Sequence, residues 1–457
     1  MKLKRLVSGI VCTAMVASML TACGSNSGSG TANTGGAADT GTAESAASGD
    51  SAAAGDTAGA ESTAAGDDAA ASGGGKELVY WSMWTSQEPQ ALVIQEAIDA
   101  YEAKTGNTVK VEWKGRDINK IIKTALESGT KIDLFDDDFQ RVSTQYVDFE
   151  ADLEDMATAA GYADFSNSVL TDQVRSWAGS LKAIYYQPYT SGVFYNKDLF
   201  EQAGISEEPQ TWDEFMDACQ KLVDAGIEPL ALDSAYAMYM YGYQLARYIG
   251  QDAVKELVKE GGWSSNEGAK KAAQDMIDAI NAGYFESGAP GEYPESENQM
   301  GLTLNVAAIV MASYVCNEIE TNTSAGINWG MFNYPSVEGG KDANTVANVG
   351  AQAFAIPSYS ENQQEAFDLI MMIVSGEYDQ KMAQQTNTIP ADTRNEWPAM
   401  LADTQAKFEG MTGTYEWNMG LNDNAELQAM IKDVCIKLFE GQYETADDFV
   451  AAMDALY

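Results

Sequence analysis

The chain has 457 residues, of which 68 are acidic, 27 are basic and none is histidine, so its formal net charge at pH 7 is −41. This charge repels the phosphates of nucleic acid and of anionic lipid, and we expect neither as a direct partner. The missing histidine removes the commonest general base and a frequent zinc ligand, and no Gly-rich phosphate loop is present. We therefore predict no cofactor and no metal.

The N-terminus has the pattern of a secretory signal peptide. A cationic start precedes an apolar run from Leu6 to Leu20, which is shorter than the ~20 residues that a membrane-spanning helix needs. The run ends in Leu-Thr-Ala-Cys, which resembles a bacterial lipobox, and this predicts a signal peptide at 1–22 and lipidation of Cys23. An ordinary signal with a chance cysteine is the alternative. We expect the lipid alone to hold the protein on the extracytoplasmic face of the cell membrane.

Residues 23–75 comprise the cysteine and a segment dominated by Gly, Ala, Ser, Thr and Asp, without aromatic residues. Such a composition cannot form a core, so we predict a disordered tether with a mean reach of roughly 40 Å. The remaining 76–457 exceed what one hydrophobic core usually serves, which predicts two lobes. Their three cysteines are widely spaced and odd in number, which favours buried thiols over a disulfide framework.

Strands and helices alternate in the first half of this region. A strand at 78–81 precedes a helix that Gly106 ends, and an alternating strand at 109–113 precedes a helix for which Asp117 is the predicted cap. A third strand is predicted at 132–135. This order is typical of a parallel, doubly wound α/β sheet, whose ligands bind beyond the carboxyl ends of its strands.

The same alternation begins again further along the chain. Thr211 and Glu214 form a predicted capping box at the start of a helix that Gly226 ends, and strands follow at 227–232 and 308–311. The last helix is predicted to open at Thr445. Two α/β units are therefore expected.

Five segments of this region carry a family resemblance through their order and spacing. They are Tyr195-Asn196-Lys197-Asp198-Leu199-Phe200, Ala203-Gly204-Ile205, Thr211-Trp212-Asp213-Glu214-Phe215, Ala225-Gly226-Ile227 and Ala355-Ile356-Pro357. Together they resemble the sugar-binding proteins of ABC importers, the family that includes the maltose- and glycerol-phosphate-binding proteins. The resemblance covers essentially all of 76–457.

This resemblance implies two doubly wound lobes joined by a hinge, the type II periplasmic-binding-protein architecture. It implies a first lobe of 76–187 plus about 352–390 and a second of 193–347 plus about 391–457. The ligand would be a carbohydrate held between the lobes of a monomer, which then docks on the permease subunits of an importer. Identity of the sugar does not follow.

Aromatic rings that stack on sugar faces and polar groups that bind hydroxyls are the expected site chemistry. At the first strand's end, alternation favours Trp84 over Trp81 as the exposed ring, with core packing as the alternative. The other candidate rings are Tyr189, Tyr236, Tyr314 and Trp417, of which the first, third and fourth come from the resemblance. A tyrosine-rich packing edge is the alternative for Tyr236.

The polar candidates also lie at predicted strand ends. Asp136, Asp137 and Asp138 can accept hydrogen bonds from hydroxyls, although a solvated acidic turn is nearly as good an interpretation, and they lack calcium-loop spacing. Lys114 and Arg116 can donate, or be ordinary surface charges.

Two other functions stay open at this stage. A membrane-anchored polysaccharide hydrolase or lyase needs only two carboxylates, which so acidic a chain always offers. A peptide-binding or adhesin-type lipoprotein would use the same anchor. Without histidine or a catalytic motif, we expect a binding protein and not an enzyme.

Overall fold

The structure is a computed structural model that describes residues 75–421 and 424–457. The signal peptide, Cys23 and the tether up to residue 74 lie outside the described residues. Within them, the strands are β1 (Glu77–Ser82), β2 (Thr108–Trp113), β3 (Leu134–Asp138), β4 (Ala183–Asn196), β5 (Glu228–Ala231), β6 (Val306–Ala312), β7 (Trp329–Phe332), β8 (Val346–Ala355) and β9 (Gly413–Tyr415).

Helices pack around these strands. In chain order they are α1 (Pro89–Thr105), α2 (Ile118–Glu127), α3 (Phe139–Gln145), α4 (Glu154–Ala159), α5 (Ser168–Ala178), α6 (Lys197–Gln202), α7 (Trp212–Asp224), α8 (Ala237–Ile249), α9 (Gln251–Glu260), α10 (Glu267–Asn281), α11 (Glu295–Thr303), α12 (Val315–Thr323), α13 (Gln363–Ile373), α14 (Gly376–Thr386), α15 (Ala402–Glu409), α16 (Ala425–Phe439) and α17 (Ala446–Asp454).

The first lobe is built on a sheet in the order β2-β1-β3-β8-β4. β1 pairs in parallel with β2 and β3, whereas β8 is antiparallel to both of its neighbours in this sheet. The parallel pairs bring the carboxyl ends of β1, β2 and β3 to one edge, as the sequence predicts. The mixed α/β class is therefore confirmed, with one antiparallel strand inserted.

The second lobe continues from the same long strand. The N-terminal part of β4, up to Thr190, pairs with β8, and its C-terminal part, from Ser191, lies between β6 and β7. β5 pairs with β6 in parallel on the far side. β4 is therefore shared by both sheets and is one of the connections on which a hinge between the lobes would bend.

The chain returns to the first lobe before it ends in the second. α13 and α14 pack against α1, and the carboxylate of Asp379 still accepts hydrogen bonds from the amides of Ala391 and Asp392. α15 then packs against β7, and α16 and α17 join the core of the second lobe. The lobe boundaries stay a prediction, and these contacts favour a final crossing a few residues after 391.

Most predicted helix ends agree with the structure, and two details differ. Thr211 and Glu214 form the capping box, and Thr445 caps the last helix. Asp117 occupies the N-cap position of α2, as predicted, but its carboxylate makes no capping bond and instead pairs with Lys120 at 2.6 Å. β3 begins later than predicted and extends to Asp138, so all three aspartates lie inside the sheet and pair with β8.

The remaining cysteines are Cys219, Cys316 and Cys435, and all three are free, buried thiols. Each contributes to a hydrophobic cluster, in agreement with the buried thiols that the sequence favours. None of the helices in the described ranges is long and apolar enough to cross a membrane.

Candidate functional site

A cavity of about 480 Å³ lies where the two lobes meet β4 and β8. Its walls come from α3 and α5 of the first lobe, from the hinge strands, and from the segments around residues 314 and 414–418 of the second lobe. The lining residues are Asp138, Phe139, Gln140, Arg141, Gln145, Gln173, Trp177, Tyr189, Tyr314, Val349, Gly350, Gln352, Thr414, Tyr415, Glu416, Trp417, Asn418 and Gln428.

Tyr189 reaches this cavity because of an irregularity in β4. The strand register shifts between Tyr186 and Tyr189, and Gln187 in the bulge adopts a left-handed φ of 45°. A bulge re-aims the side chains that follow it. Tyr189 then pairs with Gly350, which leaves room for its ring, and meets Tyr314 edge-on at a centroid distance of 5.5 Å.

Trp417 forms the opposite aromatic wall. Its indole stacks on Tyr239 of α8 with centroids 4.4 Å apart and an interplanar angle of 22°. The next two residues, Asn418 and Met419, both have a left-handed φ, which is costly for residues with a Cβ. Met419 is buried against Gly242, and this packing holds the turn. Only glycine allows such close contact, because a Cβ at position 242 would lie 2.7 Å from the methionine side chain. The indole is therefore held by its stack on Tyr239 and by the anchored turn that follows it.

The first-lobe wall begins where β3 ends. The Asp138 carboxylate accepts a hydrogen bond from the Arg141 amide and so caps α3, and burial raises the pKa of this carboxyl. The Arg141 guanidinium donates through Nε and Nη2 to the buried Asp137 carboxylate at 3.0 and 2.7 Å. Within the described residues its Nη1 makes no hydrogen bond. Nη1, which carries two N–H groups, is consequently free for a ligand.

Further polar groups line the remaining surface. Gln352 has a buried Oε1 without a hydrogen-bond partner among the described residues. Gln140 donates to the Glu416 carboxylate at 3.2 Å, which also pairs with the Lys255 ammonium. The Thr414 hydroxyl donates to Gln173 Oε1 at 2.7 Å. The Gln140 and Thr414 bonds join first-lobe helices to the second-lobe segment, so both lobes supply polar atoms to one space.

Of the residues predicted from the sequence, Asp138, Tyr189, Tyr314 and Trp417 line the cavity together. Tyr236 is not among the lining residues. It packs edge-to-face against Trp417, which does line the cavity, with ring centroids 6.1 Å apart. Asp137 also stands behind the wall, where it supports Arg141 and accepts a hydrogen bond from Tyr146 at 3.1 Å.

The tryptophans at the end of β1 do not line the cavity. Trp84 is buried, and its indole nitrogen donates to the Tyr186 hydroxyl at 2.6 Å. Tyr186 donates in turn to Asp136, which also accepts from Tyr80 at 2.8 Å. Burial of Asp136 raises its pKa to about 6, although these hydroxyl donors oppose that shift. This network belongs to the core of the first lobe.

Trp81, Lys114 and Arg116 also lie away from the cavity. The Lys114 ammonium sits 3.9 Å from the Trp81 ring centroid and pairs with Glu112 at 2.7 Å. Arg116 pairs with Glu88 at 2.6 Å and donates to the Met83 carbonyl oxygen. Their donors are therefore used by neighbouring groups of the first lobe.

Several lining residues were not singled out by the sequence. Phe139 and Arg141 directly follow the aspartate triplet, so the same strand-end argument could have included them. Trp177 and Gln173 lie on α5, where one helical turn places both on one face, but no local signal marks that face as exposed to a cavity.

Comparison with known proteins assigns the family. The bacterial extracellular solute-binding protein family matches residues 84–380. The chain belongs to this family. Its members capture solutes outside the cytoplasm, and no relative named in the comparison is an enzyme.

Two relatives and one solved structure illustrate the similarity. The galactooligosaccharide-binding protein of Bacillus subtilis is 25% identical over 340 residues, covering 70% of this chain and 74% of that protein. The diacetylchitobiose-binding protein of Streptomyces coelicolor is 25% identical over 69% of this chain and 73% of its own length. A Bacillus licheniformis sugar transporter solved with stachyose superposes with a TM-score of 0.61 at 17% identity, covering 83% of this chain and 99% of that structure. This last likeness establishes the type II two-lobe fold.

Proposed function

We propose that the chain captures a neutral saccharide in the cavity between its lobes and delivers it to the permease of an ABC importer. The observation that carries this proposal is the meeting of aromatic rings and unengaged polar atoms in one cavity. A sugar presents flat C–H faces and a rim of hydroxyls, and such a surface matches it.

The rings provide stacking faces on more than one side. Trp417 is fixed by its stack on Tyr239, and Tyr189 and Tyr314 hold one another edge to face. Trp177 lies on the first-lobe wall beside Phe139, with ring centroids 5.6 Å apart. Because the rings are packed in place before a ligand arrives, little side-chain entropy is lost on binding.

The polar atoms favour a neutral ligand. The carboxylate of Asp138 and the buried Oε1 of Gln352 can accept hydrogen bonds from hydroxyls, and Arg141 Nη1 can donate one. Arg141 is the one cation among the described lining residues, and its charge is already matched by Asp137. An anionic sugar would therefore meet no uncompensated positive charge there.

The names of the relatives agree with this chemistry. Galactooligosaccharide, diacetylchitobiose and stachyose, which are named for two relatives and the solved structure, are uncharged oligosaccharides. We propose a ligand of the same class for this chain.

Capture would proceed by closure of the lobes about β4 and β8. A ligand that contacts Asp138 and Arg141 on one lobe and Trp417 on the other stabilises the closed state by its contacts to both. The closed monomer would then dock on the permease. Since the chain has no histidine and no catalytic motif, we propose that the sugar leaves chemically unchanged.

The proposed location rests on the N-terminal sequence. Cys23 would carry the diacylglyceryl group, and the Gly/Ala/Ser-rich segment that follows would give the lobes room to reach the permease. The membrane is contacted through the lipid only.

A thermal-shift screen against neutral, acidic and amino sugars and against a set of peptides tests this function. At 100 times its Kd, a ligand stabilises the folded chain by roughly 2.7 kcal/mol, a shift that is easily measured. We expect shifts with neutral oligosaccharides. Shifts with peptides and none with any saccharide would contradict the proposal.

A further inference from the structure

A second depression, which we call the outer groove, opens beside the cavity and has a volume of about 820 Å³. Five residues line both spaces: Gln173, Trp177, Thr414, Tyr415 and Glu416. The two spaces therefore share a wall and lie side by side at the junction of the lobes.

Part of this shared wall is closed by a single hydrogen bond. The Thr414 hydroxyl donates to Gln173 Oε1 and so links the second lobe to α5. Both groups can rotate to bond the hydroxyls of a sugar, so a ligand can replace this bond without leaving either group unpaired. Trp177, on the same wall, offers a ring that faces both spaces.

The outer groove has its own hydrogen-bonding groups. Asp252 and Lys341 lie on its rim, and Asp342 accepts a hydrogen bond from the Tyr415 hydroxyl at 2.9 Å. Lys255 is already paired with Glu416. Carboxylates and ammonium groups are interspersed, and this mixture suits many hydroxyls better than a single strong charge.

The sizes of the two spaces bear on the length of the ligand. At 480 Å³ the cavity lies in the lower part of the roughly 300–1,000 Å³ range of small-molecule sites, which suits a short saccharide. The outer groove, beyond Trp177, offers room for the further units of a longer chain.

We infer that the ligand is an oligosaccharide longer than a disaccharide, with one end in the cavity and further units in the outer groove. This inference rests on the proposed function and specifies the ligand's length. It makes Asp252 and Lys341 contacts for the distal units, whereas they take no part in holding the first two.

The test compares chain lengths on the full protein. Titration calorimetry would measure Kd for di- and tetrasaccharides of galactose and of N-acetylglucosamine, and for the disaccharide sucrose beside the tetrasaccharide stachyose. The variant Asp252→Ala/Lys341→Ala removes two exposed side chains of the groove. Glu256→Ala, on the same helix as Asp252 but outside the groove lining, is the matched control.

We expect the longer member of at least one series to bind about tenfold tighter. The double variant should weaken binding of that member by roughly 5- to 50-fold and leave the disaccharide unaffected. Equal affinities for short and long sugars, or an unchanged length dependence in the double variant, would overturn the inference while leaving sugar capture intact. Absence of binding by every member would instead overturn the proposed function itself.

Discussion

The ring of Tyr189 covers the α-carbon of Gly350 on the neighbouring strand. A Cβ at position 350 would come within 2.3 Å of the Tyr189 hydroxyl oxygen and 2.4 Å of the ring carbon that bears it. Glycine at this position therefore sets where the ring lies, and with it the edge contact to Tyr314.

Replacing Gly350 by Ala should displace Tyr189 and weaken saccharide binding by about tenfold or more. Gly330→Ala is a close control, because there too a tyrosine on the paired strand, Tyr195, covers a glycine, with a Cβ distance of 2.4 Å. Both variants should lose about 1–3 kcal/mol of stability from overpacking. Calorimetry should detect the affinity loss in G350A alone, and equal affinities in the two variants would count against Tyr189 as a contact.

The sugar affinities of two alanine variants distinguish the roles of the candidate tryptophans Trp417 and Trp81. Trp417→Ala removes a fixed stacking face from the cavity, and we expect a loss of about tenfold or more in affinity. Trp81→Ala removes a ring that packs against Lys114 outside the cavity, so its Kd should match that of the unmodified chain. Calorimetric titration of both variants with the same sugar measures this difference in Kd. A larger loss of affinity in W81A than in W417A would contradict the assignment.

Glu297 makes stability depend on pH. Burial, followed by repulsion from Glu318 and Asp233, raises the pKa of this carboxyl from 4.5 to about 8. Between these values the folded state holds a proton that the unfolded state has released, so Glu297 lowers stability as pH rises through this window. Glu297→Gln removes that contribution.

The stability of E297Q relative to the unmodified chain should therefore grow between pH 5 and 8, by at most about 1.4 kcal/mol per pH unit, and level off above pH 8. Urea unfolding at several pH values measures this difference. A constant offset for E297Q would mean that Glu297 is already ionised near pH 5.

Cys23→Ser tests the anchor. Serine lacks the thiol that receives the diacylglyceryl group, so the variant should appear in the soluble fraction and lose label from radioactive palmitate. Cys12→Ser, within the apolar run of the signal peptide, should stay membrane-bound and labelled. Membrane retention of C23S together with its label would contradict lipidation at this position.

The fold was largely predictable because periodicity and caps are local signals. Thr211 with Glu214 and Gly106 mark helix ends by residue type alone, and the structure has both. The register of β3 was not predictable in this way. Its aspartates are tolerated in the sheet because groups distant in the sequence, such as Tyr186, hydrogen-bond to them.

The site was only partly predictable for the same reason. Trp84 sits at a strand end, where a ligand contact is expected, but its indole is engaged by a tyrosine 102 residues away. Trp177 gives no local signal, because its cavity is created by a second-lobe segment more than two hundred residues later in the chain. Tyr189, Tyr314 and Trp417 were predicted from the family resemblance. A resemblance over the whole region can bring together residues that are distant in the sequence and close in the fold.

The most direct test of sugar capture without chemistry is titration calorimetry of the purified, lipidated protein in detergent, followed by chromatography of the recovered ligand. With galactotetraose, tetraacetylchitotetraose or stachyose, we predict binding at one site per chain for at least one sugar, its loss in Tyr189→Ala/Trp417→Ala, and recovery of the sugar unchanged. No binding heat with any of them, or shortened sugars in the recovered ligand, would contradict the account.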